Sequence, residues 1–167
     1  MSETRKYIIC QSLIGAIYIV SQSQKIVAVH MGEDDFKKDE NQETIEFDPQ
    51  DTLLLTAKAQ LEEYFLNKRT TFDLPVEKNG TPFQMSVWEV LNDIPYGETR
   101  SYQEIAQAIG NAKAVRAIGQ ANKANRLPIL VPCHRVIGKN QSLTGYAGKR
   151  TDIKEELLLL EGAHFRK

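Results

Sequence analysis

The chain is poor in the residues that build metal sites and disulfide frameworks. It has 2 cysteines and 3 histidines among 167 residues. Cys10, Cys133, His30, His134 and His164 show neither C-x-x-C nor H-x-x-x-H spacing. Structural zinc sites use such spacings, so neither a metal nor any other cofactor is expected. Two cysteines so far apart make no disulfide scaffold and fit a reducing, cytoplasmic setting. No apolar run approaches the length of a membrane span. The start, Met1-Ser2-Glu3-Thr4-Arg5-Lys6, lacks a signal-peptide pattern. No membrane partner is therefore expected. Internal repeats and low-complexity stretches are also missing.

Acid is scarce in one part of the chain. Residues 100–150 carry nine Lys/Arg against Glu104 alone, whereas residues 1–99 carry nine Lys/Arg against seventeen Asp/Glu. The net charge of -1 hides this contrast. A basic face that meets a polyanion would explain it. A solvated surface that only aids solubility would explain it equally well.

The remaining pattern predicts an α+β fold in two parts, 1–78 and 79–167. Residues 7–10, 15–20 and 25–30 are β-branched runs that read as strands, with a hairpin connection at 21–24. The acidic stretch 31–49 reads as loop with a short strand near 44–47. Asp51 or Thr52 can cap a helix to about Asn67, with Leu54, Leu55, Ala59, Leu61, Tyr64 and Phe65 on its apolar face. A linker at 68–80 follows. Thr81, with Pro82 behind it, can start a helix to about Asn92 whose buried side is Phe83, Val87, Val90, Leu91 and Ile94. Ser101 and Glu104 stand at capping-box distance and open a helix that stops at Gly110. A third helix, about 113–124, turns Val115 and Ile118 inward. The last two helices make a helix-turn-helix pattern, and Lys113, Arg116 and Lys123 suit it to DNA or to a basic but merely structural helix pair.

Residues 129–136 read Ile-Leu-Val-Pro-Cys-His-Arg-Val. An apolar run, read as a strand, ends at Pro132 and presents Cys133 in a fixed direction. Imidazole and guanidinium neighbours favour a thiolate, so Cys133 is a candidate nucleophile. A buried structural cysteine is the alternative.

Pro132-Cys133-His134-Arg135-Val136, the upstream Ser101-Tyr102, the block Lys113-Ala114-Val115-Arg116-Ala117, Asn125 and Gly145-Tyr146 occur in one order. This resembles the O6-alkylguanine-DNA alkyltransferases, or methylated-DNA–protein-cysteine methyltransferases, over about 81–162. The resemblance implies a ribonuclease H-like N-terminal domain of sheet plus helix, then a mostly helical, winged helix-turn-helix-like domain for alkyl transfer and DNA binding. It implies direct DNA repair by a monomer acting on double-stranded DNA that contains alkylated guanine. Cys133 takes the alkyl group from O6-alkylguanine once and is not regenerated; O4-alkylthymine is a further candidate substrate.

By the same resemblance, His134 is the base, Glu161 orients it and Asn125 braces the active-site turn. Arg116 occupies the space of a base flipped from the duplex. Tyr102, Arg135, Val136, Tyr146, Ala147 and Gly148 contact DNA or base. Read from position alone, Glu161 could be a solvent-facing helix end, Asn125 a helix cap, Arg116 a phosphate contact and Tyr102 a core residue. Ala147 stands where some relatives have serine, so any contact there comes from the backbone. The stretch 146–154 is one residue longer than the commoner spacing, which loosens the register of Lys154 and Glu161. Two rivals remain open. A damage-sensing binder is disfavoured by the presence of Cys133, and a cysteine hydrolase by a Cys-His pair adjacent in sequence.

Overall fold

The N-terminal β-branched runs form a meander. In the computed structural model, which describes residues 4–138, 143 and 151–166, β1 (Lys6–Ser12), β2 (Gly15–Gln22) and β3 (Lys25–Met31) pair antiparallel. The β2–β3 connection turns at Ser23 (φ 52°) and Gln24 (φ 66°). Two consecutive left-handed residues match the right-handed twist of the flanking strands. The short strand expected near 44–47 is β4 (Glu46–Phe47), parallel to β1, and the sheet order is β3-β2-β1-β4.

The acidic stretch is not all loop: α1 (Glu33–Asp39) lies in it. Acids in its first turn and lysines in its last suit the helix dipole. Its one buried residue, Phe36, meets the rings of Tyr18 at 4.4 Å and Tyr7 at 4.5 Å. A single anchor leaves no apolar period to detect. The next helix, α2 (Thr52–Phe65), is capped by Asp51, whose carboxylate accepts from the Leu54 amide at 2.9 Å. Its buried face is Leu54, Ala57, Gln60, Leu61 and Tyr64. Leu55, expected inside, is 42% exposed, and Ala59 is exposed as well. Gln60 is satisfied by both backbone groups of Asp73, at 2.9 and 3.0 Å. The expected linker is therefore partly docked: the Ile26 amide donates to the Pro75 carbonyl and the Glu77 amide to the Ile26 carbonyl.

A buried ion cluster closes this unit. Arg5 grips Glu40 with two bonds of 2.8 and 2.6 Å, and His30 Nε2 lies 2.7 Å from Glu40 Oε2. Burial alone would raise the Glu40 carboxyl, but the His30 and Arg5 hydrogen bonds and charges win and lower it to about 2. Its folded value lies below its ordinary 4.5, so its stabilising contribution is complete above 4.5 and is lost as pH falls toward 2. A Glu40→Gln variant is expected to melt below the parent at neutral pH. The gap between their thermal midpoints should narrow as the solution is acidified below about 4.5; a gap independent of pH would contradict the assignment.

Backbone contacts divide the chain into two compact units, Met1–Lys78 and Asn79–Lys167. The second opens with α3 (Pro82–Asn92), which has the full capping box between Thr81 and Gln84. Val87, Trp88 and Leu91 are its buried residues, and Phe83 and Val90 are only half-buried. A second capping box, Ser101 with Glu104, starts α4 (Tyr102–Ala108). Gly110 follows this helix with φ 79°, a left-handed conformation that glycine adopts without strain. Next comes α5 (Val115–Lys123), whose inward residues are Ile118, Ala121 and Asn122. Val115 does not turn inward as expected; it is 36% exposed. The Trp88 indole N–H donates to the Ala121 carbonyl at 2.9 Å and ties α3 to α5.

The strand expected before Pro132 is absent. Residues 125–132 make a loop with one isolated bridge between Pro128 and Val131. A 3-10 turn, Cys133–Arg135, follows and leads into β6 (Val136–Ile137). This short strand pairs parallel with β5 (Arg100–Ser101), Arg100 opposite Val136. The pairing sets the first turn of α4 beside the Cys133 turn. The last helix, α6 (Thr151–Glu161), ends before Gly162 (φ 71°). The whole is α+β: sheet plus helix, then a helical unit.

Candidate active site

The nucleophile's surroundings are built first from backbone. Ile129 has φ 72°, an outlier for a β-branched residue. It is held there by burial and by the Val131 amide, which donates to the Leu127 carbonyl at 2.8 Å. Backbone strain of this kind costs about 1–3 kcal/mol and persists only where its surroundings fix it. Asn125 supplies much of that fixing. Its Oδ1 accepts from the Leu127 amide at 3.0 Å, and its Nδ2 donates to the Val131 carbonyl at 2.9 Å and to Cys133 Sγ at 3.2 Å. The Cys133 amide donates to the Val131 carbonyl at 2.7 Å, and the thiol-bearing residue is only 3% exposed.

Glu161 is the hub of the site. Its Oε1 accepts from Arg135 Nε at 2.8 Å and from the Gly97 amide at 3.4 Å. Its Oε2 accepts from Arg135 Nη2 at 3.0 Å and lies 2.7 Å from His134 Nε2. A carboxylate can only accept, so His134 carries its proton on Nε2 and presents the Nδ1 lone pair. Burial alone would raise the Glu161 carboxyl. The His134 bond and charge, then those of Arg135, outweigh it and hold Glu161 far below the ordinary carboxylate range. Burial is also the largest influence on His134 and lowers it, against the opposing pull of Glu161. The pair is therefore an ionised carboxylate beside a neutral imidazole, with Arg135 balancing the carboxylate charge. That imidazole offers its Nδ1 lone pair to a proton donor.

Arg135 is committed to this framework. Its third nitrogen donates to the Ile94 carbonyl at 2.7 Å, and its guanidinium lies 5.7 Å from the centre of the Tyr96 ring. The expected contact to DNA or base is thus replaced by an internal brace. Gly97 (φ 83°) lets the chain pass Glu161: a Cβ there would come within 3.2 Å of the Glu161 carbonyl oxygen.

Lys154 adds a cation. Its side chain is fully buried, and Nζ donates to the Val136 carbonyl, three residues from the thiol. Burial draws the ammonium down to about 8, while the charge of the Cys133 thiolate raises it. Attraction is mutual, so a charged Lys154 favours thiolate over thiol.

The other expected residues are spread along the same unit. Tyr102 is half-buried at the start of α4, Val136 is fully buried, and Arg116 is exposed in the first turn of α5. The exposed residues 113, 115–117, 120 and 123 bring three cations and no carboxylate. Tyr146, Ala147 and Gly148 lie outside the described residues. Sequence reasoning missed Ile94, Tyr96, Gly97 and Asn122 as parts of the site, and it gave Lys154 no role. Proline and glycine at 95 and 97 are a local turn signal, but what the turn touches is set by tertiary packing. Among the described residues, no group of three or more His, Cys, Asp or Glu side chains could hold a metal ion.

Comparisons with known proteins agree with this geometry. Residues 82–163 match the model of the 6-O-methylguanine DNA methyltransferase DNA-binding domain, and residues 6–78 match its ribonuclease-like domain. The chain is 47% identical to the constitutive methylated-DNA–protein-cysteine methyltransferase of Bacillus subtilis, over 96% of this chain and 97% of that protein. The solved O6-methylguanine methyltransferase of Mycobacterium tuberculosis superposes with a TM-score of 0.84 at 38% identity, covering 95% of this chain and 93% of that one. The OGT of the same organism, solved in complex with DNA, gives 0.83 at 39% identity, covering 94% and 92%.

Proposed function

This chain belongs to the 6-O-methylguanine DNA methyltransferase family, and we propose from that premise how its residues carry out direct repair of O6-alkylguanine in DNA. The observation that carries the reading is Cys133, held by Asn125 on a turn whose next residue is an imidazole locked onto a carboxylate. The thiol proton passes to His134. The thiolate sulfur attacks the alkyl carbon, a sulfur–carbon bond forms and the carbon–oxygen bond to guanine breaks. The electron pair stays on the guanine oxygen and is neutralised by a proton, which restores guanine. A thioether is a poor leaving group, so each molecule acts once.

The duplex poses the harder problem. The O6 position is stacked and paired, so the nucleotide has to leave the helix to reach a buried thiol. Helix α5 meets the DNA, and Arg116, exposed in its first turn, fills the vacated stack. Tyr102 and Val136 meet the flipped base; Arg135, Glu161 and Asn125 hold the site in shape. O4-alkylthymine is a secondary substrate in this reading. Both cysteines are free, and no helix among the described residues is long and apolar enough to cross a membrane. The reading places the protein in the cytoplasm as a monomer, with 1–78 as a supporting domain and 79–167 as the reactive one.

Repair of a duplex carrying excess O6-methylguanine should stop at one lesion per protein molecule. Arg116→Ala should slow that reaction on the order of tenfold or more, while leaving reaction with free O6-alkylguanine base almost unchanged, because only the duplex requires flipping. Continued turnover would contradict the first claim. Equal losses on duplex and free base would contradict the second.

A further inference from the structure

Asn122 is the polar member of the inward face of α5, beside Ile118 and Ala121. It is 5% exposed. Its Nδ2 donates to the carbonyl oxygen of Cys133 at 3.3 Å. That carbonyl can only accept, so the amide has one chemically sensible orientation. The orientation leaves Asn122 Oδ1 buried without a donor among the described residues. A buried acceptor in that condition lowers stability, whereas an apolar side chain of similar shape would avoid the loss. The residue thus gives up stability while fastening the peptide that carries the nucleophile.

We propose that Asn122 is a positioning residue for alkyl transfer: by holding the Cys133 carbonyl it aims the sulfur at the incoming alkyl carbon. This inference rests on the repair reading above. Cys133 is fixed at three points: its amide is tied to Val131, its sulfur receives Asn125, and its carbonyl receives both the Val136 amide and the Asn122 side chain. Pinning the amide and the carbonyl stops the flanking peptide planes from rotating and so sets the Cα–Cβ direction. Asn125 then acts on the sulfur itself. Displacement at carbon requires the sulfur in line with the departing oxygen, and small misplacements of reacting atoms cost large factors in rate. The two asparagines have separable tasks, one on the backbone and one on the thiol.

Two substitutions separate positioning from structure. Asn122→Leu removes the donor and the buried orphan acceptor together. Asn122→Asp keeps the shape, but turns an acceptor toward the carbonyl and sets a negative charge near the thiolate. Three quantities are read for the parent and both variants: single-turnover methyl transfer from duplex, thermal midpoint, and the pH dependence of Cys133 alkylation by iodoacetamide. Asn122→Leu is expected to lose about tenfold in transfer with a thermal midpoint equal to or above the parent's. Asn122→Asp is expected to lose more and to raise the apparent thiol pKa by about one unit. Parent-like transfer in Asn122→Leu, or an unmoved thiol titration in Asn122→Asp, would overturn the proposal. Failure of both variants to fold would also overturn it, since Asn122 would then be a structural brace. A parent protein that transfers no methyl group would instead defeat the repair reading, which keeps the two failures apart.

Discussion

Cys133→Ser is expected to leave duplex binding intact and to abolish methyl transfer. The substitution changes one atom. A serine hydroxyl fits the same site and can accept the bond that Asn125 gives to Cys133 Sγ, so the fold of the turn should survive. The basic face of α5 is untouched. What disappears is a soft sulfur nucleophile; a neutral hydroxyl does not displace at an alkyl carbon. Gel-shift titration with lesion-bearing duplex checks the first half, and retention of the label on DNA after incubation with excess protein checks the second. Residual transfer would mean that another side chain is the acceptor. Loss of binding together with transfer would mean that the cysteine serves the fold.

The second large effect is expected at Glu161. Four hydrogen-bonding groups converge on its carboxylate: two from Arg135, one from His134 and one from Gly97. Glu161→Gln exchanges one oxygen for an amino group that can only donate, so a donor faces a donor and the Arg135 charge loses its buried counter-ion. Breaking a buried pair in this way costs about 3–5 kcal/mol. For a chain of this size that corresponds to a fall in thermal midpoint of roughly 10 °C. Transfer should fall as well, by on the order of a hundredfold, because the imidazole loses the partner that fixes its tautomer. Rates taken well below the variant's own midpoint separate this loss from unfolding. A variant as stable and as fast as the parent would remove Glu161 from the centre of the site.

What the sequence revealed, and what it hid, follows physical lines. Capping signals are local: the Ser101 and Glu104 box and the Thr81 cap were legible and are present, and the structure adds Gln84 as the partner of Thr81. The strand meander was equally legible because β-branched runs and a polar turn are local signals. Helix α1 was not, since one buried phenylalanine makes no period. The direction of Val115 was misjudged because α5 buries small residues and an asparagine rather than a stripe of large apolar ones.

The site divides in the same way. Cys133, His134 and Arg135 announced themselves as neighbours in sequence, but a 3-10 turn sends successive side chains in three directions. Arg135 therefore ends against Glu161 and Ile94 rather than facing outward beside the thiol. Asn125 lies near Cys133 in the chain and could be anticipated. Gly97, Lys154 and Glu161 are brought in by tertiary packing, and nothing local distinguishes a buried lysine or glutamate from an exposed one. The left-handed Ile129 contradicts its own residue preference. Only the loop around it, already committed to holding the nucleophile, accounts for that conformation.

The central claim concerns one sulfur atom. Incubation of the protein with an equimolar duplex containing O6-methylguanine, followed by proteolysis and tandem mass spectrometry, reads that atom directly. The peptide bearing Cys133 should gain a single methyl group placed on sulfur, Cys10 should remain unmodified, and the DNA should contain ordinary guanine. An unmodified Cys133 with the lesion still in the duplex would contradict the account.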